Sequence, residues 1–186
     1  MVVHYRTAGR MDAEHIAHLH IDSWRRTYRG SYRDAFLDGD VVTNRLDVWR
    51  SRLSRDRRDQ FVCIAEADSH LLGFICVFGN ENRTWGSLID NLHVTHESRR
   101  SGIGTLLMQK CGTWLASHYG QSGVYLWVLE ANQSARHFYE RLGAAHAETM
   151  ESEHPGGGSS PSCRYVWPRP EVLRMRAEAL TGSKYG

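Results

Sequence analysis

The chain has little that would commit it to metal, membrane or polyanion chemistry. Its four cysteines, Cys63, Cys76, Cys111 and Cys163, show no C-x-x-C spacing, which excludes a zinc knuckle or a disulfide framework and leaves reduced, buried thiols. No stretch approaches the ~20 apolar residues that cross a bilayer, and the opening MVVHYRTAGRMDAEH lacks the apolar core of a secretory signal. No membrane partner and a cytoplasmic location are therefore expected. Charge of one sign is scarce too: a net charge of +2 and a pI of about 8.4 describe an ordinary surface, not a strongly basic one. The arginines from Arg45 to Arg58 alternate with Asp47, Asp56 and Asp59, so the run reads as a solvated face and no nucleic-acid partner is expected. The stretch HIAHLH places His15, His18 and His20 on a helix, but a third and fourth ligand are missing, so they read as solvated and no metal is expected.

What is present suffices for one core: 186 residues at 41% hydrophobic, without internal repeats. VVHYRTA alternates as a short strand, and a helix follows with Ile16, Leu19, His20, Ser23, Trp24 and Tyr28 at near-helical intervals up to Gly30. A second helix is expected over Val41 to Leu53, with Val42, Leu46, Trp49 and Leu53 as its apolar stripe. FVCIAEA and LLGFICVFG form a hairpin through Asp68, Ser69 and His70, and residues 85–95 form the next strand. A helix from Ile103 and the continuous apolar run GVYLWVL, a strand covered on both faces, come next. EANQSARHFYERLGA is a helix capped by Asn132 or Ser134 and stopped at Gly143. Strands near 145–152 and at CRYVWP flank the flexible loop EHPGGGSSPS, and a helical tail follows Pro170.

HESRRSGIGTLLMQKC, His96 to Cys111, is the stretch that bears on chemistry. Glycines before a helix let backbone N–H groups and the positive helix end approach a phosphate. A nucleotide P-loop needs G-x-x-x-x-G-K-[ST], and here Lys110 comes too late. A dinucleotide fingerprint needs a third glycine where Leu107 stands and an acid about 20 residues on, where the chain has the apolar strand around Tyr125 and Leu126.

The remaining pattern, a strand ending LHV followed by R-x-x-G-x-G and a helix, resembles the pyrophosphate loop of the GNAT superfamily of acyl-CoA-dependent N-acetyltransferases. VLEANQSARHFYERLGA is similar to that superfamily's N-x-x-A-x-x-F-Y-x-x-x-G signature at Asn132, Ala135, Phe138, Tyr139 and Gly143. The resemblance implies a single α/β (α+β) domain over residues 1–170, with a mixed, mostly antiparallel twisted sheet of six to seven strands and about four helices. Residues 171–186 are expected as a short helical or flexible tail. Acetyl-CoA is the implied co-substrate. Leu92, His93 and Val94 would offer backbone bonds to its pantetheine arm, with their side chains of little account. The backbone of Arg100, Ser101, Gly102, Ile103, Gly104 and Thr105 would hold the pyrophosphate, with Arg99 beside it, and Asn132 would reach the pantetheine. Tyr139 is the implied general acid for the departing thiolate.

The implied reaction is direct transfer of an acetyl group to a primary amine of a small molecule, peptide or protein. The glutamate that serves as base in the histone-acetyltransferase branch is replaced by Leu88. Asp90, on the same strand face as Leu88, is the chosen alternative, with Glu66, His93 or a water chain as further options. Arg100 stands where glycine is common, restricting the loop or adding charge near the phosphates. Ser23 to Arg45 and the loop Gly156 to Gly158 are the expected acceptor segments, with Trp24, Tyr28, Tyr32 and Trp85 as possible walls. A homodimer through edge strands is possible, and a non-catalytic acyl-CoA-binding module is the competing function.

Overall fold

Alternation along two central strands sets the architecture. The computed structural model describes residues 2–182, and every statement below concerns these. In β2 (Gln60–Ala67) and β3 (His70–Asn82) successive residues are buried on opposite faces. Cys63, Ala65, Ile75 and Val77 point to one side, and Val62, Ile64, Phe74 and Cys76 to the other. Both faces must then be covered. Asp68 and Ser69 join the strands with positive φ at both positions, a type I′ hairpin, so His70 belongs to the strand and not to the turn.

The first face packs on α4 (Ile103–Tyr119), α5 (Gln133–Arg141) and α6 (Pro170–Gly182), through Leu107, Met108, Leu115 and Leu142. Each such side chain contributes about 1.5–3 kcal/mol by leaving water. Leu173 and Ala177 of α6 lie within this core, and α6 packs along α4; residues 183–186 of the expected tail lie outside the described residues. The second face carries α1 (Ala13–Thr27) and α3 (Val41–Arg52). Between them lies α2 (Asp34–Asp38), which seals Phe36 and Leu37 against Trp24 and Val41.

β1 (His4–Thr7), β4 (Gly86–Val94), β5 (Val124–Leu129), β6 (Ala145–Glu153) and β7 (Ser159–Trp167) complete a seven-stranded sheet of order β1-β2-β3-β4-β5-β7-β6. Every pairing is antiparallel except β4 with β5. The mixed, mostly antiparallel α/β sheet is the one expected. The helices number six among the described residues, not about four, because α2 and the long α6 add to the set. All four cysteines are free and buried, and burial pushes the Cys63 thiol up to about 11 and the Cys76 thiol to about 12. Among the described residues no helix is long and apolar enough to cross a membrane.

Two departures shape the site. The parallel β4–β5 ladder holds only at Ser87–Val124 and Leu88–Tyr125, after which the strands part into a wedge. β4 also carries a bulge: Ile89 faces Val77 and Asn91 faces Cys76, so Asp90 is an extra residue.

Candidate active site

The glycine loop lines one side of the wedge. After a 3₁₀ turn at His96–Ser98, Gly102 at φ 98 caps α4, and Leu106 N–H makes the first helical bond, to Gly102. The amides of Ser101, Gly102, Ile103, Gly104 and Thr105 donate to no described residue. Five consecutive free N–H groups at a helix N-terminus form a ready anion cradle. Arg100 adopts φ 62, the left-handed region that disfavours side chains. Arg100→Gly relieves about 1–2 kcal/mol of that strain and loses about 0.5–1 kcal/mol to unfolded-state entropy. The unfolding midpoint is expected to stay level or rise slightly, which thermal melts read directly.

The free edge of β4 faces the wedge. Thr95 donates its N–H to Leu72 on β3 at 2.8 Å, so by alternation the amides of Leu92 and Val94 point to the opposite, open edge and that of His93 into β3. Of the three residues expected on the pantetheine arm, only Leu92 and Val94 therefore present amides to the wedge. Asn132 caps α5, its Oδ1 accepting from Ala135 N–H at 3.2 Å, which leaves its Nδ2 donors unused among the described residues. Tyr139, on α5, is buried edge-on to Trp167. Its hydroxyl bonds to no described residue, and burial, then Tyr28, push its pKa up.

The bulge turns Asp90 and Asn91 to the same side, where Arg52 reaches both: Asp90 at 2.6 Å and Asn91 Oδ1 at 2.8 Å. The carboxylate read as a base is thus held by a cation. Glu66 is far from the wedge, bound by Arg6 at the outer β1–β2 ladder. The side chain of His93, expected to matter little, lies on the α1 side, with Nδ1 2.8 Å from Ser23 Oγ and its ring 4.5 Å from that of His20.

His20 corrects the expectation of solvated histidines. It is fully buried, and Trp49 Nε1–H donates to its Nδ1 at 3.0 Å, so Nε2 carries the proton, without a partner among the described residues. Burial lowers both rings, helped at His20 by His93 and then by Arg45 and Arg52, and at His93, which falls to about 3, by Arg99 and Arg45. Both are neutral in the fold and protonate below pH ~6.5 when unfolded, so the unfolded state binds more protons there. Stability is expected to be level above pH ~6.5 and to fall toward pH ~3 by up to about 1.4 kcal/mol per pH unit per histidine. Urea midpoints between pH 7.5 and 5 measure this, and His93→Gln should flatten the slope.

The two segments expected to take the acceptor meet. The 154–158 turn, expected to be flexible, closes on itself (His154 N–H to Gly158, Gly157 N–H to His154) and packs on α2, where a Cβ on Gly156 would sit 2.3 Å from the Phe36 ring. His154 stacks on Tyr32 at 4.2 Å, Tyr32 on Tyr28 at 4.8 Å, and Trp24 lies edge-on to Tyr32 at 5.2 Å. Burial pushes the Tyr28 phenol up to about 12. Trp85 is elsewhere, against Arg164 of β7. A cleft of about 530 Å³ runs from Ser31 and Ser160 to Leu129, Glu130 and Ala131 at the end of β5.

The arginine run is a solvated face at Arg50, Arg55, Arg57 and Arg58 but not at Arg45 and Arg52. Arg45 is buried under Trp24 and Arg52 turns inward to Asp90, whereas Arg50 and Arg57 form outer pairs with Glu14 and Asp59. The buried stripe of α3 is Val41, Arg45 and Trp49. A four-residue step starting at Val41 would have found Arg45; nothing local announces the Ser23–His93 bond.

Comparison with known proteins agrees with this fold. The Acetyltransferase (GNAT) family profile matches residues 17–144. The uncharacterized N-acetyltransferase YuaI of Bacillus subtilis is 31% identical over 136 residues, 72% of this chain and 75% of that protein. The PaiA N-acetyltransferase of Thermoplasma acidophilum, solved with coenzyme A, superposes with a TM-score of 0.68 at 19% identity, covering 90% of this chain and 100% of that one. NAA60 of Arabidopsis thaliana, solved with acetyl-CoA, gives 0.67 at 17% identity, covering 89% and 98%.

Proposed function

We propose that this chain, which belongs to the Acetyltransferase (GNAT) family, transfers an acetyl group from acetyl-CoA directly to a primary amine of a small molecule or peptide. The observation that carries the reading is the run of five unpaired amides from Ser101 to Thr105 beside the β4–β5 wedge. They fit a pyrophosphate, with Arg99 and Arg100 adding positive charge beside it. Leu92 and Val94 would pair with the amide groups of the pantetheine as a strand would, and Asn132 Nδ2 would donate to the same arm.

With the donor so held, the thioester lies in the wedge near Tyr139. The acceptor enters from the side of Trp24, Tyr28 and Tyr32. Its amine, having lost a proton to water, attacks the thioester carbonyl; the C–N bond forms, the C–S bond breaks, the Tyr139 hydroxyl protonates the departing thiolate, and the second proton shed by the nitrogen restores the Tyr139 hydroxyl. Water takes the ammonium proton because Asp90 is held by Arg52 and His93 is lowered to about 3.

A panel of primary amines incubated with acetyl-CoA, with free thiol measured, tests the reading. Amine-dependent thiol release is expected. Silence across the panel, with acetyl-CoA binding shown by calorimetry, would leave a non-catalytic acyl-CoA-binding module.

A further inference from the structure

Among the described residues three arginines, Arg45, Arg52 and Arg164, lie over tryptophan rings, and Arg45 alone of them lacks an acid. Arg164 lies between Trp85 and Trp127, 4.3 and 4.4 Å from the ring centres, and donates to Glu148 at 3.1 Å. Arg45 lies 4.3 Å over Trp24 and is 8% exposed. Its Nε and Nη2 both donate to the neutral Oδ1 of Asn44. Nη1 donates to no described residue, and no described carboxylate is within ion-pair distance of the guanidinium.

Its surroundings make this an electrostatic deficit. The acid that Arg45 feels most is Asp90, already held by Arg52, so two guanidiniums face one carboxylate. Burial and the repulsion of Arg52 lower Arg45 to about 10, which leaves it cationic at neutral pH. A buried cation without a counter-charge is costly, and the cost is recovered when an anion arrives. A planar guanidinium stacked on an indole, with one edge unused, is suited to a carboxylate.

The place is as informative as the charge. Arg45 also acts on His93, which with Asp90 belongs to the strand forming one lip of the wedge, and on Tyr32 in the aromatic wall. An anion at Arg45 therefore sits on the acceptor side of the sheet.

We propose that Arg45 binds a carboxylate of the acceptor, so that the acceptors are amino-carboxylates, molecules that carry both the reacting primary amine and a free carboxylate. The proposal rests on the transferase reading for the fate of the amine, but not for the binding of the acid. Free amino acids and the carboxyl ends of short peptides share this chemistry.

The test compares matched acceptors on the wild-type protein with saturating acetyl-CoA: γ-aminobutyrate against butylamine, leucine against leucinamide, glycyl-leucine against its amide. Rates are taken per deprotonated amine. The acid of each pair is expected to show a kcat/KM about 10- to 100-fold higher, the range of a charge-assisted pair. Preference confined to the first two pairs assigns the site to amino acids, and preference confined to the third assigns it to peptides. Arg45→Gln should bring the ratio near unity and Arg45→Lys restore part of it, with melting curves verifying the fold.

Equal rates for acid and amide on the wild-type protein overturn the proposal while leaving the transferase reading intact, whether or not the variants fold. If no amine releases thiol, calorimetry of γ-aminobutyrate, leucine and glycyl-leucine into the CoA complex decides. Binding of any of these acids that their counterparts without a carboxylate lack sustains the anion site and removes the transferase; no binding removes the site.

Discussion

Replacing Tyr139 with phenylalanine is expected to lower kcat by about 10²-fold or more, within the range of general acid catalysis, while leaving acetyl-CoA affinity nearly unchanged. The ring is buried against Trp167 and Phe138, and phenylalanine fills the same space. The hydroxyl supports no hydrogen bond among the described residues, so its loss leaves no orphaned partner and stability should hold. Burial keeps the phenol protonated across the working pH range, which suits a proton donor. Steady-state thiol release with calorimetric titration of acetyl-CoA separates the two quantities. Unchanged turnover in the variant would move the acid elsewhere, and with it the assignment of α5.

The second large effect is structural. Gly86 opens β4 at φ 85, and a Cβ there would lie 2.1 Å from the carbonyl oxygen of Gly123, the acceptor of the Ser87 N–H at 2.9 Å. Both obstacles are backbone, so neither can rotate away. Gly86→Ala is expected to cost about 3–5 kcal/mol, the sum of left-handed strain and overpacking, read as a shift of the urea midpoint. Gly104→Ala is the internal control. Its Cβ would meet Phe138 and Val94 at 3.6 and 3.8 Å, ordinary contact, inside α4. Stability there should be unchanged or up to about 1 kcal/mol higher. Equal losses at the two sites would mean that the short β4–β5 ladder is not what Gly86 protects.

Elements with a strong internal period were legible in the sequence. β2, β3, α4 and α5 lie close to where alternation or helical spacing puts them, and Gly143 at φ 84 ends α5 as the pattern required. α2 was not legible, because five residues carry no period and hold together only through Phe36 and Leu37 against neighbours. The glycine loop could be singled out because the anion cradle is local: consecutive residues supply consecutive amides. The acceptor side is not local. Alternation along β4 singles out Asp90, and what holds it is Arg52, from a helix whose apolar stripe, Val42, Leu46, Trp49 and Leu53, packs on the core without announcing its inward arginines. A charged residue in a buried stripe carries no apolar signal, so Arg45 and Arg52 look solvent-facing in the sequence. Ser23 and His93, 70 positions apart, meet only once the sheet and α1 are assembled.

The extra residue in β4 acts as a frameshift in space. Ahead of it Ile89 packs into the α4 core; behind it Leu92 and Val94 pack on that same core, although the interval from Ile89 to Leu92 is odd. A strand counted strictly in twos would put His93 among the apolar side chains of α4 and send Leu92 and Val94 out beneath α1. It would also exchange the amides that look into the wedge. Straightening the bulge with every residue kept would therefore invert half a strand, whereas deleting Asp90 would leave a regular ladder with Leu92, His93 and Val94 on their present faces.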